Sequence, residues 1–195
     1  MDVKRICVFC GSSTGHDPIF RESAARMGRL LAEQNIGLVY GGGQIGLMGV
    51  VADAVLEQGG EVVGVIPEAL ATKELLHTGV TEMHVVHDMH ARKALMSQLA
   101  DAFVALPGGF GTYEELLEVI TWAQLGLQQK SIGLLNTAGF FSPLVDFFER
   151  AITAGFIKEK HRELFVVQQT PAELLRAMSE HHPPTLTKWI DAEET

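Results

Sequence analysis

The sequence predicts a doubly wound α/β domain, a mostly parallel Rossmann-like sheet with helices on both faces. Three observations lead there. Short apolar runs alternate with helix-period segments along the chain, a pattern that calls for parallel strands joined by right-handed crossovers. At 195 residues the chain is too short for an eight-fold barrel. Glycine-bearing turns, Gly11-Ser12-Ser13, Gly41-Gly42-Gly43 and Gly108-Gly109, each follow a strand. They should therefore gather at the carboxyl edge of the sheet, where such folds bind ligands near the switch point.

Taken in order, Arg5–Cys10 reads as the first strand, and Ile19–Gln34 as a helix with Phe20, Ala24, Met27, Leu30 and Leu31 on one face. Ile36–Tyr40 and Glu61–Ile66 are strands flanking a helix over Leu47–Gln58, with Pro67 as a stop. Residues 68–79 read as irregular or partly helical, followed by a strand over Glu82–Val86 and a helix over Met89–Leu99. Ala102–Leu106 is a buried strand leading into a helix over Thr112–Leu125. Ser131–Leu135 with Pro143–Ala154, then Leu164–Val167 with Pro171–Glu180, complete the alternation. With 47% hydrophobic residues the chain can bury one core, read as a single domain over 1–181 and a surface tail over 182–195.

A net charge of −9 argues against sequence-independent nucleic-acid binding, which needs a basic face, but leaves room for a small nucleotide. No apolar run approaches a membrane span, and Met1–Arg5 runs into a strand without a signal-peptide layout. The expectation is a soluble, cytoplasmic protein. Cys7 and Cys10 form a C-x-x-C, but residues three apart in a strand face opposite ways, so these are read as ordinary buried cysteines.

The organising stretch is Pro107-Gly108-Gly109-Phe110-Gly111-Thr112-Tyr113-Glu114-Glu115. Glycines at a strand-to-helix turn bare backbone N–H groups to a phosphate, and Glu115 falls within the first helical turn. Thr112-x-x-Glu115 also spells a capping box, which spacing alone favours over catalysis. The preceding Pro-Gly-Gly-x-Gly shifts that balance, because a cap needs no such opening. Gly41-x-Gly43-x-x-Gly46, with Glu68 after the next strand, spells a dinucleotide fingerprint, although it lies in the second strand–helix unit. Arg92 reads either as a helix ion pair with Asp88 or as a guanidinium at the rim, able to grip a carboxylate or phosphate. His84, His87 and His90 cross a strand, a turn and a helix start, so no metal is assigned to them.

These residues resemble one family. Cys10-Gly11-Ser12-Ser13, Val39-Tyr40-Gly41-Gly42-Gly43 with Gly46-Leu47-Met48-Gly49, and Met89-His90-x-Arg92-Lys93 match it in order. Pro107-Gly108-Gly109-x-Gly111-Thr112-x-x-Glu115 and Glu118–Gly126 continue the match. The chain resembles the LONELY GUY proteins, cytokinin-activating phosphoribohydrolases once labelled possible lysine decarboxylases. Nothing here resembles the pyridoxal machinery a decarboxylase needs. The resemblance implies a homodimer that hydrolyses the N-glycosidic bond of a nucleoside 5′-monophosphate, without cofactor, to ribose 5-phosphate and free base. It assigns the chemistry to Arg92 and Glu115. Gly109, Phe110, Gly111, Thr112 and Thr121 would hold the phosphoribosyl part with Lys93 beside them, and Glu74 falls at a substrate-contact position. The rim turns add Ser12, Ser13, Gly41, Gly42, Gly43 and Gly108 as substrate-binding candidates. The chain departs from plant members mainly over Thr72–Met83 and after Phe156. Two other classes remain open on the residues alone, a non-catalytic nucleotide-binding or carrier module and a nicotinamide enzyme.

Overall fold

The computed structural model describes residues 3–72 and 75–184. Its elements run β1 (Arg5–Phe9), α1 (Pro18–Glu33), β2 (Gly37–Tyr40), α2 (Gly46–Leu56), β3 (Val62–Pro67), β4 (Glu82–Val86) and α3 (Met89–Leu99). They continue with β5 (Ala102–Ala105), α4 (Phe110–Gln124), β6 (Ser131–Leu135), α5 (Ser142–Thr153), β7 (Val166–Gln168) and α6 (Pro171–Glu180). The seven strands pair in the order β4-β3-β2-β1-β5-β6-β7, every neighbouring pair parallel. The chain reverses direction across the sheet between β1 and β5, and that break is the switch point where the site forms.

Alternation along the strands divides the core in two. Ile6, Val8 and Cys10 join one cluster with residues of α1, α2 and α6, whereas Cys7 and Phe9 join the other with residues of α3 and α4. Both cysteines are therefore buried and free, on opposite faces of the sheet. The start of the central strand is anchored to the short α3–β5 connection, because the Asp101 carboxylate accepts from the Lys4 and Arg5 N–H groups at 2.9 and 3.0 Å.

Three expectations shift. Pro67 sits within the end of β3, a position tolerated because a strand's last residue can dispense with one N–H. The last strand begins at Val166, after a 3-10 turn over Glu159–Leu164. Helix α4 begins at Phe110, two residues before the expected Thr112. The segment over 68–79 starts with a 3-10 turn, Glu68–Leu70, then zips onto the β2–α2 turn. There Gln44 N–H donates to the Leu75 carbonyl and His77 N–H to the Gly42 carbonyl, at 2.8 and 3.0 Å.

Candidate active site

A cavity of about 410 Å³ opens at the switch point, a volume suited to a small organic ligand. Cys10, Gly11 and Ser12 enter it from the end of β1, Gly41 and Gly43 from β2, and Ile66 from β3. Arg92 and Met96 come from α3, and Gly109, Phe110, Gly111, Thr112 and Glu115 from the start of α4.

The start of α4 shows why glycine is needed. Gly109 is its N-cap, in extended conformation and with no side-chain cap, so the first-turn N–H groups receive no side-chain partner from the cap position. A β-carbon at Gly108 would lie 2.1 Å from the Thr112 hydroxyl oxygen and 2.8 Å from the Gly11 backbone nitrogen. Thr112 is consequently buried beside the loop. It is a helical residue held over Gly108, and with Glu115 also inside the helix, the capping box that spacing alone favoured does not form. Starting the helix early exposes Phe110 and Gly111 to the cavity and sets Glu115 one turn further in.

Arg92 is fixed by backbone. Its Nε donates to the Val65 carbonyl at 3.2 Å and its Nη2 to the Gly41 carbonyl at 3.3 Å. Nη2 also stands 3.8 Å from Glu115 Oε1, both side chains being nearly buried. A β-carbon at Gly41 would fall 1.9 Å from Nη2, so this glycine exists to let the guanidinium cross the sheet edge. Of the two readings of Arg92, the ion pair with Asp88 gives way to the rim position, since Asp88 instead caps α3 by accepting from Ala91 N–H at 2.8 Å.

Burial pushes the Glu115 carboxyl up to about 7 against the opposing pull of Arg92. A carboxyl titrating near neutrality can trade a proton with substrate or water. Burial likewise pushes the Cys10 thiol up, so it lines the cavity as an inert small side chain.

The family described as "possible lysine decarboxylase" matches residues 48–178. A cytokinin riboside 5′-monophosphate phosphoribohydrolase of Arabidopsis thaliana is 51% identical over 180 residues, 92% of this chain and 83% of that one. The chain belongs to the LONELY GUY family. A second relative of the same name, from rice, is 49% identical over 92% of this chain and 74% of its own. Among solved structures, the molybdenum cofactor carrier protein of Chlamydomonas reinhardtii superposes with a TM-score of 0.68 at 22% identity, over 90% of this chain and 96% of that one. The molybdenum cofactor binding protein of Rippkaea orientalis gives 0.66 at 16% identity, over 92% and 98%. At such identities these two speak for the fold alone.

The residues picked out in the sequence do not all converge. Ser12, Gly41, Gly43, Arg92, Gly109, Phe110, Gly111, Thr112 and Glu115 line the cavity, while Ser13 and Gly108 border an adjoining hollow that shares Gly11, Ser12 and Gly109 with it. Gly42 is not part of the lining; its φ of +74° requires glycine, and a β-carbon there would meet Ile66 and Met83 at 3.1 and 3.2 Å. Lys93 points behind the cavity, where its ammonium pairs with Glu114 and Glu118 at 2.5 and 3.0 Å. Thr121 lies further along α4, donating to the Leu117 carbonyl at 2.7 Å and lining a separate apolar groove of about 360 Å³ between α4 and α5. Glu74 lies outside the described residues. His84 and His87 each lie 3.0 Å from a carboxylate, of Glu82 and Asp88 respectively, and do not converge on one point.

Sequence reasoning missed the cavity's apolar wall of Ile45, Met48, Ile66, Leu70, Leu75 and Met96. Periodicity marks Met48, Ile66 and Met96 as core residues of α2, β3 and α3, and Ile45, Leu70 and Leu75 fall in connecting segments that carry no period, so neither signal points to a cavity wall.

The dinucleotide reading of Gly41–Gly46 loses its physical basis. Gly41 accommodates Arg92, Gly46 carries a φ of +63° and presses on the Ser12 backbone, and Leu47 N–H is spent on the Gly11 carbonyl at 3.0 Å.

Proposed function

We propose that this protein hydrolyses the N-glycosidic bond of adenosine 5′-monophosphate or an N6-substituted derivative, releasing the free base and ribose 5-phosphate. The observation that carries this is the Arg92–Glu115 pair at 3.8 Å, both nearly buried, beside an α4 N-terminus without a side-chain cap. Phosphate suits the helix start, where first-turn N–H groups and the dipole favour an anion. The apolar wall suits a purine and an alkyl group on its N6.

Breaking the bond between C1′ and the base nitrogen leaves positive charge on the ribose ring, which a fixed carboxylate stabilises. Glu115 is placed for that work and to take a proton from the incoming water as its oxygen bonds to C1′. The departing base carries away the bond's electron pair and ends with the proton that Glu115 took from the water, which returns Glu115 to its starting state. Arg92, held by two carbonyls, orients Glu115 and favours its ionised form. The relatives' shared name supports the substrate class.

The same reading takes the protein as a homodimer in the cytoplasm. Support comes from the apolar groove along α4 and α5 and from neighbouring exposed side chains such as Phe147 and Phe156, together with two buried, unbridged cysteines. Among the described residues no helix is long and apolar enough to cross a membrane.

The test is chromatography of AMP and N6-isopentenyl-AMP after incubation with the protein, alongside Glu115→Gln and the unphosphorylated ribosides. Free base from the monophosphates only, lost in the variant, is the expected result. Intact nucleotides throughout would leave a binding protein in place of an enzyme. Light scattering of the eluted protein at twice 21.2 kDa is the expected mass for the dimer.

A further inference from the structure

Arg92 and Lys93 are consecutive on α3, so their side chains leave the helix about 100° apart. Glu114 and Glu118 share one side of α4 at i, i+4 spacing, and Glu115 stands a similar angle away. The two helices therefore meet through interlocked charges. Arg92 reaches Glu115 on the cavity side at 3.8 Å, and Lys93 reaches Glu114 and Glu118 behind it at 2.5 and 3.0 Å.

The Lys93 side chain is only 11% exposed. Burial alone would lower its basicity, but the hydrogen bonds it donates to the two carboxylates more than offset this and hold it above the ordinary lysine value. The space beside it, bounded by Ser97, Glu115, Glu118 and Trp122, is a void of about 10 Å³. No phosphate or ribose fits there.

We propose that Lys93 is a positioning residue of the hydrolysis rather than a substrate ligand. Its ammonium clasps Glu114 and Glu118, fixes the start of α4 against α3, and balances the two carboxylates that flank Glu115. This rests on the reading of Glu115 and Arg92 as the reacting pair. The titratable and charged groups close enough to act on Glu115 are Arg92 and Lys93 from α3, Glu114 and Glu118 on its own helix, and the buried thiols of Cys7 on β1 and Cys10 just after it. Of these, Lys93 is the cation that neutralises its acidic neighbours. Losing it leaves two uncompensated carboxylates beside Glu115, and the charged form of Glu115 becomes harder to reach.

The experiment compares the wild type with Lys93→Met, Lys93→Arg and the double variant Glu114→Gln/Glu118→Gln. One readout is kcat and KM for AMP between pH 5 and 9. The other is the titration midpoint of the Glu115 carboxyl by carbon-13 NMR, assigned with Glu115→Gln, which needs no turnover. Lys93→Met should lower kcat at neutral pH about tenfold or more while KM changes by less than about twofold. Its Glu115 midpoint should rise by on the order of one pH unit. Lys93→Arg should retain most activity, and the double variant should move the midpoint down. This opposite shift decides the matter even if Lys93→Met does not fold. A raised KM with kcat intact, or a Glu115 midpoint unmoved by every variant, overturns the proposal. If the wild type leaves every nucleotide intact, the enzyme reading fails, while the carboxyl titration still decides what Lys93 does.

Discussion

The molecule uses the same device twice, a glycine-rich turn between a parallel strand and a helix, and the two copies do opposite work. The β2–α2 turn is closed on its own chain. Gly46 abuts the Ser12 backbone, a β-carbon on Gly49 would lie 2.1 Å from the Gln44 carbonyl oxygen, and Leu47 N–H is bonded to Gly11. The β5–α4 turn is open beyond Gly108, for a β-carbon on Gly109 or Gly111 would meet nothing within 4 Å. In the first turn glycine permits close packing of protein on protein. In the second it keeps space clear for a ligand. A glycine motif thus shows where the backbone comes close to something, but not to what.

The largest expected effect is on the open side. Glu115→Gln should lower turnover by about 10²–10⁴-fold in the AMP assay with the fold intact, and near-normal turnover would break the contrast at its centre. Gly46→Ala, in the closed turn, should cost about 3 kcal/mol or more in urea unfolding, since it combines a φ of +63° with backbone 2.2 Å from the new β-carbon.

Next comes pH. The folded state raises Glu115 from 4.5 to about 7, so the unfolded chain releases that proton first and Glu115's contribution to stability is lost as pH rises through this window. The loss is on the order of 3 kcal/mol. Glu115→Gln should therefore gain relative stability between pH 5 and 8, read as a difference in melting temperature that grows with pH; a constant difference would mean that burial is not what perturbs the carboxyl.

The smallest effect sharpens the comparison most. Gly111→Ala lies within α4 and in open space, so it should stabilise the protein by about 0.5 kcal/mol through helix propensity. Because it narrows the approach to the cavity, it should still raise KM for AMP by about tenfold, worth about 1.4 kcal/mol. An alanine there that changes neither quantity would mean the ligand does not use this turn.

Much of this was legible in the sequence. The strand–helix alternation gave every strand and helix of the sheet's two layers, because each element carries its own period. The convergence of Gly11, Gly41 and Gly109 followed from all-parallel topology. What stayed hidden was direction within an element. Spacing paired Arg92 with Asp88 and made Thr112 a cap, whereas non-local partners decided both, the Val65 and Gly41 carbonyls for the arginine and the Gly108 surface for the threonine. The family pattern placed Lys93 with the substrate, and only the position of α4 shows that its charge is already spoken for.

The place of β1 in the sheet has a kinetic consequence. It pairs with β2 on one side and with β5 on the other, and the second pairing joins Ile6 to Ala102 across most of the first half of the chain. Loop closure over that span makes folding slow compared with a local hairpin or helix bundle. Arg92 precedes β5 in sequence and Glu115 follows it, so the pair can face each other only once β5 has docked on β1. The first half of the chain on its own, as during synthesis, holds an arginine with no carboxylate to orient, and activity appears only when the two halves have joined.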